Sequence, residues 1–157
     1  MTTISIGDVA PSFEGVDQNN RIINSESLRG KKVILYFYPK DNTPGCTAEA
    51  CNLSDNYKFW QKHGYEVIGV SPDTIASHKK FEQKHGLPFT LIADTEKVIL
   101  EAYGSWGLKK LYGREYMGVI RKTFVIDEAG KIVAIFEKVK TKTHSKQLAD
   151  HFELELE

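Results

Sequence analysis

Two runs of apolar residues dominate the first half of the chain. Residues 31–39 (KKVILYFYP) and 65–71 (YEVIGVS) are almost continuously apolar, as in strands that are buried on both faces of a sheet. A long segment with helical periodicity separates them. Because two buried strands joined by a helix form a right-handed βαβ unit with parallel strands, the pattern predicts the centre of an α/β fold.

Shorter segments of both kinds follow in the second half. They predict, in order, a helix over 74–85 ended by Gly86, a strand over 88–94, a helix over 95–104, a hairpin of strands 121–127 and 131–139, and a terminal helix from about Thr143. Residues 12–24, with a turn at DQNNR, predict an additional N-terminal hairpin. This order predicts an α/β protein of thioredoxin-like fold, a central mixed β-sheet flanked by helices, with an N-terminal β-hairpin extension.

Length and charge narrow the possible partners. The 157 residues fit one domain, for which we expect the bounds 1–157. With 21 basic and 21 acidic residues, the chain has no broad field that would attract nucleic acid or anionic lipid. The sequence does not open on a basic segment followed by an apolar run, and it lacks the roughly 20 apolar residues of a membrane span. We therefore expect a cytoplasmic protein without nucleic-acid or membrane partners.

The chain contains two cysteines, Cys46 and Cys51, five positions apart. In a reducing compartment such a pair is more often metal-binding or catalytic than a structural disulfide. Cys46, Cys51 and His63 approach the spacing of a two-cysteine, two-histidine zinc site, but the next histidine, His78, lies too far along the chain. The spacing therefore favours catalysis over zinc.

The segment between the first buried strand and the long helix places one cysteine in a reactive position. Thr43 suits the N-cap of the helix, and Pro44 suits its first position. Gly45 and Cys46 then occupy the second and third positions, where backbone N–H groups have no helical partner and the helix dipole is positive. This position favours the thiolate form of Cys46, and Gly45 leaves room for a small substrate.

The two sulfurs are expected to point in different directions. On a helical wheel, Cys46 belongs to a core-facing stripe about 80° wide that also contains Ala50, Leu53, Tyr57 and Trp60. Cys51 lies about 140° away from Cys46, near Asp55, Lys58 and Lys62.

A disulfide between Cys46 and Cys51 would require a change in the helix. In an intact helix their Cα atoms would be about 8.6 Å apart, whereas a disulfide tolerates roughly 7 Å at most. The first turns must therefore unwind if the two thiols are to react. Residues 52–56 (NLSDN) contain several weak helix formers, so we expect this unwinding to cost little.

Together these residues resemble a known family. Pro39, Thr43 and Cys46 reproduce the P-x-x-x-T-x-x-C motif of the peroxiredoxins, and FYPKDNTPGCTAEAC is similar to the bacterioferritin comigratory protein or peroxiredoxin Q subfamily. The resemblance extends through nearly the whole chain. It includes GDVAPSF near the N-terminus and GSWGLKKLYGREYMGVIRKTFVID, in which Arg121 corresponds to the active-site arginine of the family.

The resemblance implies a thioredoxin-like fold and the reduction of hydrogen peroxide and organic hydroperoxides. Cys46 would be the peroxide-attacking nucleophile and Cys51 the thiol that resolves its sulfenic acid into an intramolecular disulfide, with thioredoxin as the usual reductant. Thr43 would orient the peroxide, Arg121 would stabilise the departing oxygen, and Pro39 would shield the sulfur. No metal or organic cofactor is implied, and the subfamily suggests a monomer.

Other interpretations follow from the residues alone. Cys46 could be a buried small hydrophobic residue, and Cys51 a bystander on a half-exposed face. The chain could exchange disulfides with proteins, although the C-x-x-C spacing of that chemistry is absent, or it could be a peroxide-sensing redox switch or binding module without efficient turnover. Trp106, Tyr112 and Tyr116 are most simply core or loop packing, although they could line the pocket.

Overall fold

The computed structural model describes residues 4–156, so both ends of the expected domain 1–157 lie outside the described residues. These residues contain nine strands: β1 Glu14–Asp17, β2 Ile22–Asn24, β3 Lys32–Phe37, β4 Tyr65–Ser71, β5 Thr90–Ala93, β6 Trp106–Leu111, β7 Arg114–Val119, β8 Lys122–Ile126 and β9 Ile132–Phe136. Residues 4–156 also contain five α-helices: α1 Pro44–Asp55, α2 Tyr57–Lys62, α3 Ile75–His85, α4 Val98–Ala102 and α5 His144–His151. Short 3-10 helices cover Ser25–Leu28 and Thr141–Thr143.

Seven of the described strands form one mixed sheet in the order β2-β1-β5-β4-β3-β8-β9. The interior strand β3 pairs in parallel with the central strand β4 and antiparallel with β8. Helices α1 and α2 make the crossover from β3 to β4, which confirms the predicted βαβ unit. Because β3 is buried on both faces, its sequence is apolar at nearly every position.

Both predicted hairpins of the main sheet are confirmed. β1 and β2 pair antiparallel, and β1 extends the sheet by pairing with β5. At the opposite edge, β8 and β9 pair antiparallel with an irregularity between Val125 and Ile126. The thioredoxin-like arrangement with an N-terminal hairpin extension is therefore as the sequence predicts.

The caps of α3 also match the sequence. The hydroxyl of Thr74 accepts a hydrogen bond from the Ser77 amide, and Gly86 ends the helix in the left-handed conformation at φ 61°. The helix expected over 95–104 is shorter, because Lys97 adopts a φ of 62° and α4 begins only after it.

The single long helix predicted between β3 and β4 is wrong in one respect. It is interrupted at Asn56, whose φ of −109° and ψ of 13° separate α1 from α2. The side-chain amide of Asn56 donates to the carbonyl of Asn52, while its backbone amide bonds to Ser54 instead. The side chain thus takes the carbonyl that the backbone amide would use in a continuous helix.

A third hairpin, β6 and β7, was not expected. Its turn is Tyr112-Gly113, with φ values of 51° and 79°. Tyr112 is 97% exposed, so its interpretation as core or loop packing is wrong. Tyr116 is 43% exposed and packs within its own hairpin, not in the core. Trp106 is half-buried, packs against an apolar cluster and lies under the Lys97 ammonium group.

Alternate residues of β3 belong to two apolar clusters, one on each face of the sheet. Ile34 and Tyr36 belong to the cluster that also contains Cys46, Leu53 and Trp60. Val33, Leu35 and Phe37 belong to the cluster that covers the other face. The predicted core-facing stripe of the crossover helix is therefore confirmed at Cys46, Ala50, Leu53 and Trp60, while Tyr57 packs at the edge of the same cluster.

Among residues 4–156, no helix has the combination of length and apolar content that crossing a bilayer requires.

Candidate active site

The site begins where the chain leaves β3 and enters α1. Thr43 is extended at φ −87° and ψ 153°, and Pro44 is the first helical residue. Cys46 is therefore in the first turn, as the sequence predicts, and it is 1% exposed. Its backbone amide is one of those at a helix start that have no intrahelical acceptor.

Thr43 has the N-cap position but not the expected capping bond. Its hydroxyl makes no cap to the helix and donates instead to the carbonyl of Lys40 at 2.8 Å. This hydrogen bond stays within the loop. The Thr43 oxygen accepts no hydrogen bond from the helix amides, so its lone pairs are available to another donor. Pro39, at the start of this loop, is half-buried.

Arg121 connects the sulfur to a buried carboxylate. Its Nη2 donates to the Cys46 Sγ at 3.2 Å, and its Nη1 donates to the Glu49 Oε1 at 2.5 Å. The sheet explains this proximity, because Lys122 at the start of β8 pairs with Phe37 at the end of β3. Burial lowers the pKa of the Arg121 guanidinium, but Glu49 and Cys46 outweigh that effect and raise it, so the group is a permanent cation.

Glu49 is a site residue that the sequence reasoning missed. It is fully buried, and burial outweighs the attraction of Arg121 and raises the pKa of its carboxyl to about 7. One signal was available: Glu49 is three positions after Cys46, so it lies on the same face of α1 and points a charge into the apolar stripe. Its second oxygen, Oε2, has no hydrogen-bond partner among the described residues.

A neutral histidine closes the site from α5. Burial and the nearby charge of Arg121 lower the pKa of His144 to about 4, although its bond with Gln147 acts in the opposite direction. The Nδ1 of His144 donates to the Gln147 Oε1 at 2.9 Å, and its Nε2 accepts from the Thr123 hydroxyl at 2.9 Å. Because Nε2 is an acceptor, it cannot donate to the Glu49 Oε2, which lies 3.9 Å away.

Tyr36 belongs to the same apolar cluster as Cys46. Its hydroxyl is buried without a hydrogen-bond partner among the described residues. Burial, followed by the charges of Glu49 and Cys46, raises its pKa well above the usual value, so the ring is neutral. Gly69 makes this position possible, because a Cβ there would lie 2.8 Å from the Tyr36 hydroxyl.

A buried polar network fixes the loop that precedes α1. The Oδ2 of Asp41 lies 2.7 Å from the Nδ1 of His78, and its Oδ1 accepts from the Tyr38 hydroxyl at 2.6 Å. The Ser77 hydroxyl donates to the same carboxylate at 2.8 Å, and the Asp41 amide donates to the Asp73 Oδ2 at 2.8 Å. Burial raises the pKa of Asp41, but the bonds from His78, Tyr38 and Ser77 outweigh it and hold the pKa below its usual value.

His78 is fully buried and has an acceptor at each ring nitrogen. Its Nδ1 faces the Asp41 carboxylate, and its Nε2 lies 3.0 Å from the carbonyl oxygen of Ile92. The pair joins the active-site loop to α3 and to β5.

Within the part of the chain that the structure describes, one group could geometrically hold a metal ion. Ligand atoms of Asp41, Asp73 and His78 lie within 4.8 Å of one another. These atoms already bond to one another or to neighbouring donors and acceptors, so the group is accounted for as a structural network. It includes none of the zinc candidates Cys46, Cys51 and His63.

Cys51 has a different environment from Cys46. It is half-buried, five positions further along α1, and both residues are free cysteines. Burial, followed by the charge of Asp55, raises the pKa of the Cys51 thiol. Cys51 is therefore held as a neutral thiol in this conformation, while the cation of the site faces Cys46.

The arrangement can stabilise a sulfur anion and a departing oxygen in one small space, on a thioredoxin-like sheet. These features, together with the relatives of the chain, define a thiol-dependent peroxidase. The model of the AhpC/TSA family matches residues 6–135, and the chain belongs to that family.

Its relatives are peroxiredoxins. The chain is 45% identical to peroxiredoxin Bcp of Bacillus subtilis over 142 residues, which cover 90% of each protein. It is 40% identical to peroxiredoxin Bcp of Escherichia coli over 144 residues, 92% of each. A solved cysteine-to-serine mutant of Xanthomonas campestris peroxiredoxin Q has a TM-score of 0.86 and 27% identity over 96% of both chains. The family acts on peroxides with a thiol reductant.

Proposed function

We propose that Cys46 is the peroxidatic nucleophile and Cys51 the resolving thiol of a peroxidase cycle that takes place within one subunit. The observation that supports this most strongly is the guanidinium of Arg121, 3.2 Å from the Cys46 sulfur in the buried first turn of α1. A thiolate is the reactive form of cysteine, and an adjacent cation at a helix N-terminus favours it. At Cys51, burial and the charge of Asp55 raise the pKa of the thiol instead, so peroxide is expected to react at Cys46.

The first step forms a sulfenic acid. The Cys46 thiolate attacks one peroxide oxygen, the S–O bond forms and the O–O bond breaks. The electron pair goes to the departing oxygen, which takes up a proton and leaves as water or an alcohol. Arg121 faces this developing charge as a preorganised donor.

Thr43 would orient the peroxide, and Pro39 would shield the Cys46 sulfur from water. The Thr43 hydroxyl donates to Lys40, so its lone pairs can accept a hydrogen bond from the peroxide. Pro39 is half-buried at the entrance to the loop, has no N–H group and would limit the access of water to the sulfur.

The second step forms the disulfide. Cys51 attacks the Cys46 sulfenic sulfur, the S–S bond forms, and the hydroxyl group leaves as water with the proton of the Cys51 thiol. A dithiol reductant then restores both thiols and is itself oxidised to a disulfide. We propose thioredoxin as this reductant, since the sequence resembles family members that use it.

Organic hydroperoxides are proposed as substrates beside hydrogen peroxide. The Xanthomonas campestris bacterioferritin comigratory protein, which shares this fold with a TM-score of 0.86 and 26% identity, is described as having alkyl peroxide reduction activity. We also propose that the chain is one domain and functions as a monomer. Both apolar clusters pack on the single seven-stranded sheet, which supports the first of these statements. The cytoplasmic location stays a prediction.

Stopped-flow mixing of the reduced protein with one equivalent of hydrogen peroxide tests the two cysteine roles. Rapid consumption should leave a Cys46–Cys51 disulfide, lighter than the reduced protein by two hydrogen atoms, which peptide mapping identifies. Cys46→Ser should abolish the fast phase. Cys51→Ser should react once and then fail to turn over with thioredoxin.

Two results would contradict these roles. Retained peroxide consumption in Cys46→Ser would remove Cys46 as the nucleophile. Full turnover of Cys51→Ser with thioredoxin would remove Cys51 as the resolving thiol. Slow oxidation of the wild-type protein without turnover would favour a peroxide sensor over a peroxidase.

A further inference from the structure

Asn52, the residue after Cys51, connects α1 to the start of α5. Its Oδ1 accepts from the Ser145 amide at 2.7 Å, and its Nδ2 donates to the Lys142 carbonyl at 3.0 Å. We call these two hydrogen bonds the Asn52 bridge. The N-cap residue of α5, Thr143, makes no side-chain cap of its own. Asn52 therefore supplies the cap of α5 from a different helix.

The bridge is reinforced by a buried hydroxyl. The Ser145 Oγ donates to the Asn52 carbonyl at 3.3 Å and accepts from the Trp60 Nε1 at 3.1 Å. Ser145 and Trp60 are both fully buried. Movement of Asn52 therefore leaves polar groups of the α5 start without partners and changes the surroundings of a buried indole.

Formation of the disulfide must break this bridge. Cys46 and Cys51 are both in α1, where an intact helix would hold their Cα atoms about 8.6 Å apart, further than a disulfide allows. Unwinding that brings Cys51 towards Cys46 displaces the adjacent Asn52. The break at Asn56 confines this unwinding to α1, because α2 is a separate helix beyond it.

We propose that Asn52 is a positioning residue that controls how the Cys46 sulfenic acid is divided between two fates. In the first, Cys51 attacks the sulfenic sulfur and water leaves. In the second, a further peroxide oxidises the sulfenic acid to a sulfinic acid and is reduced to water or an alcohol. The Asn52 bridge slows only the first reaction, so it prolongs the life of the sulfenic acid. The proposal rests on the proposed role of Cys51.

The test is the Asn52→Ala variant, with the disulfide-forming phase followed by tryptophan fluorescence after a single-turnover addition of peroxide. Loss of the two hydrogen bonds should accelerate this phase about tenfold. The preceding reaction with peroxide should keep its wild-type rate constant, because Asn52 lies outside the group of Cys46, Arg121 and Glu49. At excess peroxide, the yield of sulfinic acid measured by intact mass should fall by a similar factor.

Two further variants separate the bridge from helix propensity. Ser54→Ala is the matched control on the same helix; alanine stabilises the helix, so disulfide formation should be unchanged or slower. The same propensity effect opposes acceleration in Asn52→Ala, so a faster phase there cannot come from it. Asn52→Asp keeps an acceptor for the Ser145 amide but loses the donor to Lys142, and its acceleration should be smaller than that of Asn52→Ala.

Amide exchange of the reduced proteins tests the bridge without relying on Cys51. The Ser145 amide should exchange about tenfold faster in Asn52→Ala than in the wild type. If the disulfide-forming phase of Asn52→Ala is unchanged, the proposal is wrong, even where the exchange of the Ser145 amide is faster. If the wild type forms no Cys46–Cys51 disulfide, the resolving role fails, and the exchange of Ser145 alone then decides whether Asn52 restrains α1.

Discussion

The two ends of α1 are held in very different ways. At the first turn, Cys46 is buried beside Arg121, which is itself bonded to the buried Glu49. At the far end, Cys51 is half-buried and the helix stops at Asn56. The reactive end is thus fixed by several connected contacts, and the other by a few hydrogen bonds to α5. Under the proposed roles, one helix can therefore hold the Cys46 sulfur beside Arg121 and still release Cys51, which would have to reach that sulfur.

The loop that leads into α1 is fixed as firmly as the first turn. The Asp41–His78 pair ties it to α3, a helix that contributes no residue to the site around the sulfur. Substitutions at His78, Arg121 and Glu49 test how firmly the reactive end is held, and their expected effects decrease in that order.

His78→Ala should have the largest effect, on stability. It removes the histidine partner of the buried Asp41 carboxylate, and breaking such a pair costs about 3–5 kcal/mol of unfolding free energy. Urea denaturation measures the loss, and His85→Ala, a half-buried histidine of the same helix, is the control. In the double variant with Asp41→Asn the loss should be smaller than the sum of the two single losses. Additive losses would mean that the pair does not anchor the loop.

Arg121→Gln should remove the cation from the sulfur. The rate constant for the reaction with hydrogen peroxide should fall about 10²–10³-fold, the usual effect of losing one preorganised donor. Lys122→Gln, at the adjacent position, should stay near the wild-type value in the same stopped-flow measurement. A fall of less than about threefold in Arg121→Gln would show that the guanidinium does not stabilise the reaction.

Glu49→Gln should change how stability depends on pH. Because its folded pKa of about 7 lies above the ordinary value of 4.5, the folded state binds the proton more tightly than the unfolded state. The contribution of Glu49 to stability is then fully present below about pH 4.5 and is lost as the pH rises to about 7. The variant should therefore gain up to about 3 kcal/mol relative to the wild type between pH 4.5 and pH 8.

Urea denaturation across this pH range measures the difference, and Glu101→Gln, an exposed position, should show none of it. If the unfolding free energies of the wild type and Glu49→Gln changed with pH in the same way, the prediction would be wrong. Glu49 would then ionise as freely in the folded chain as in the unfolded one.

The sequence predicted the parts of the fold that depend on regular patterns. The apolar runs of β3 and β4 and the caps of α3 are local signals, and the structure confirms them. The β6–β7 hairpin was missed because its turn is Tyr112-Gly113, in which tyrosine stands at a left-handed position that asparagine or glycine usually fills. The break in the crossover helix depends on one hydrogen bond of Asn56, and no periodicity shows it.

In the candidate site, too, local features could be predicted from the sequence and most contacts between distant segments could not. The place of Cys46 in the first turn follows from Thr43 and Pro44, which are close to it in the chain. The contacts with Arg121 and His144 join segments far apart in sequence, so only the strand order reveals them. The resemblance to the peroxiredoxins supplied Arg121, and the spacing from Cys46 offered an unused signal for Glu49, whereas Asp41 and His78 needed the folded chain.

The pairing of β8 with β3 also sets the moment at which the site comes into being during synthesis. Cys46 and Arg121 are 75 positions apart, and they meet only because β8 inserts beside β3. A chain still on the ribosome that ends before this strand has emerged contains the sulfur but not the cation. A growing polypeptide therefore passes through most of its translation with Cys46 but without the Arg121 cation beside it, and the two groups meet only when the sheet is nearly complete.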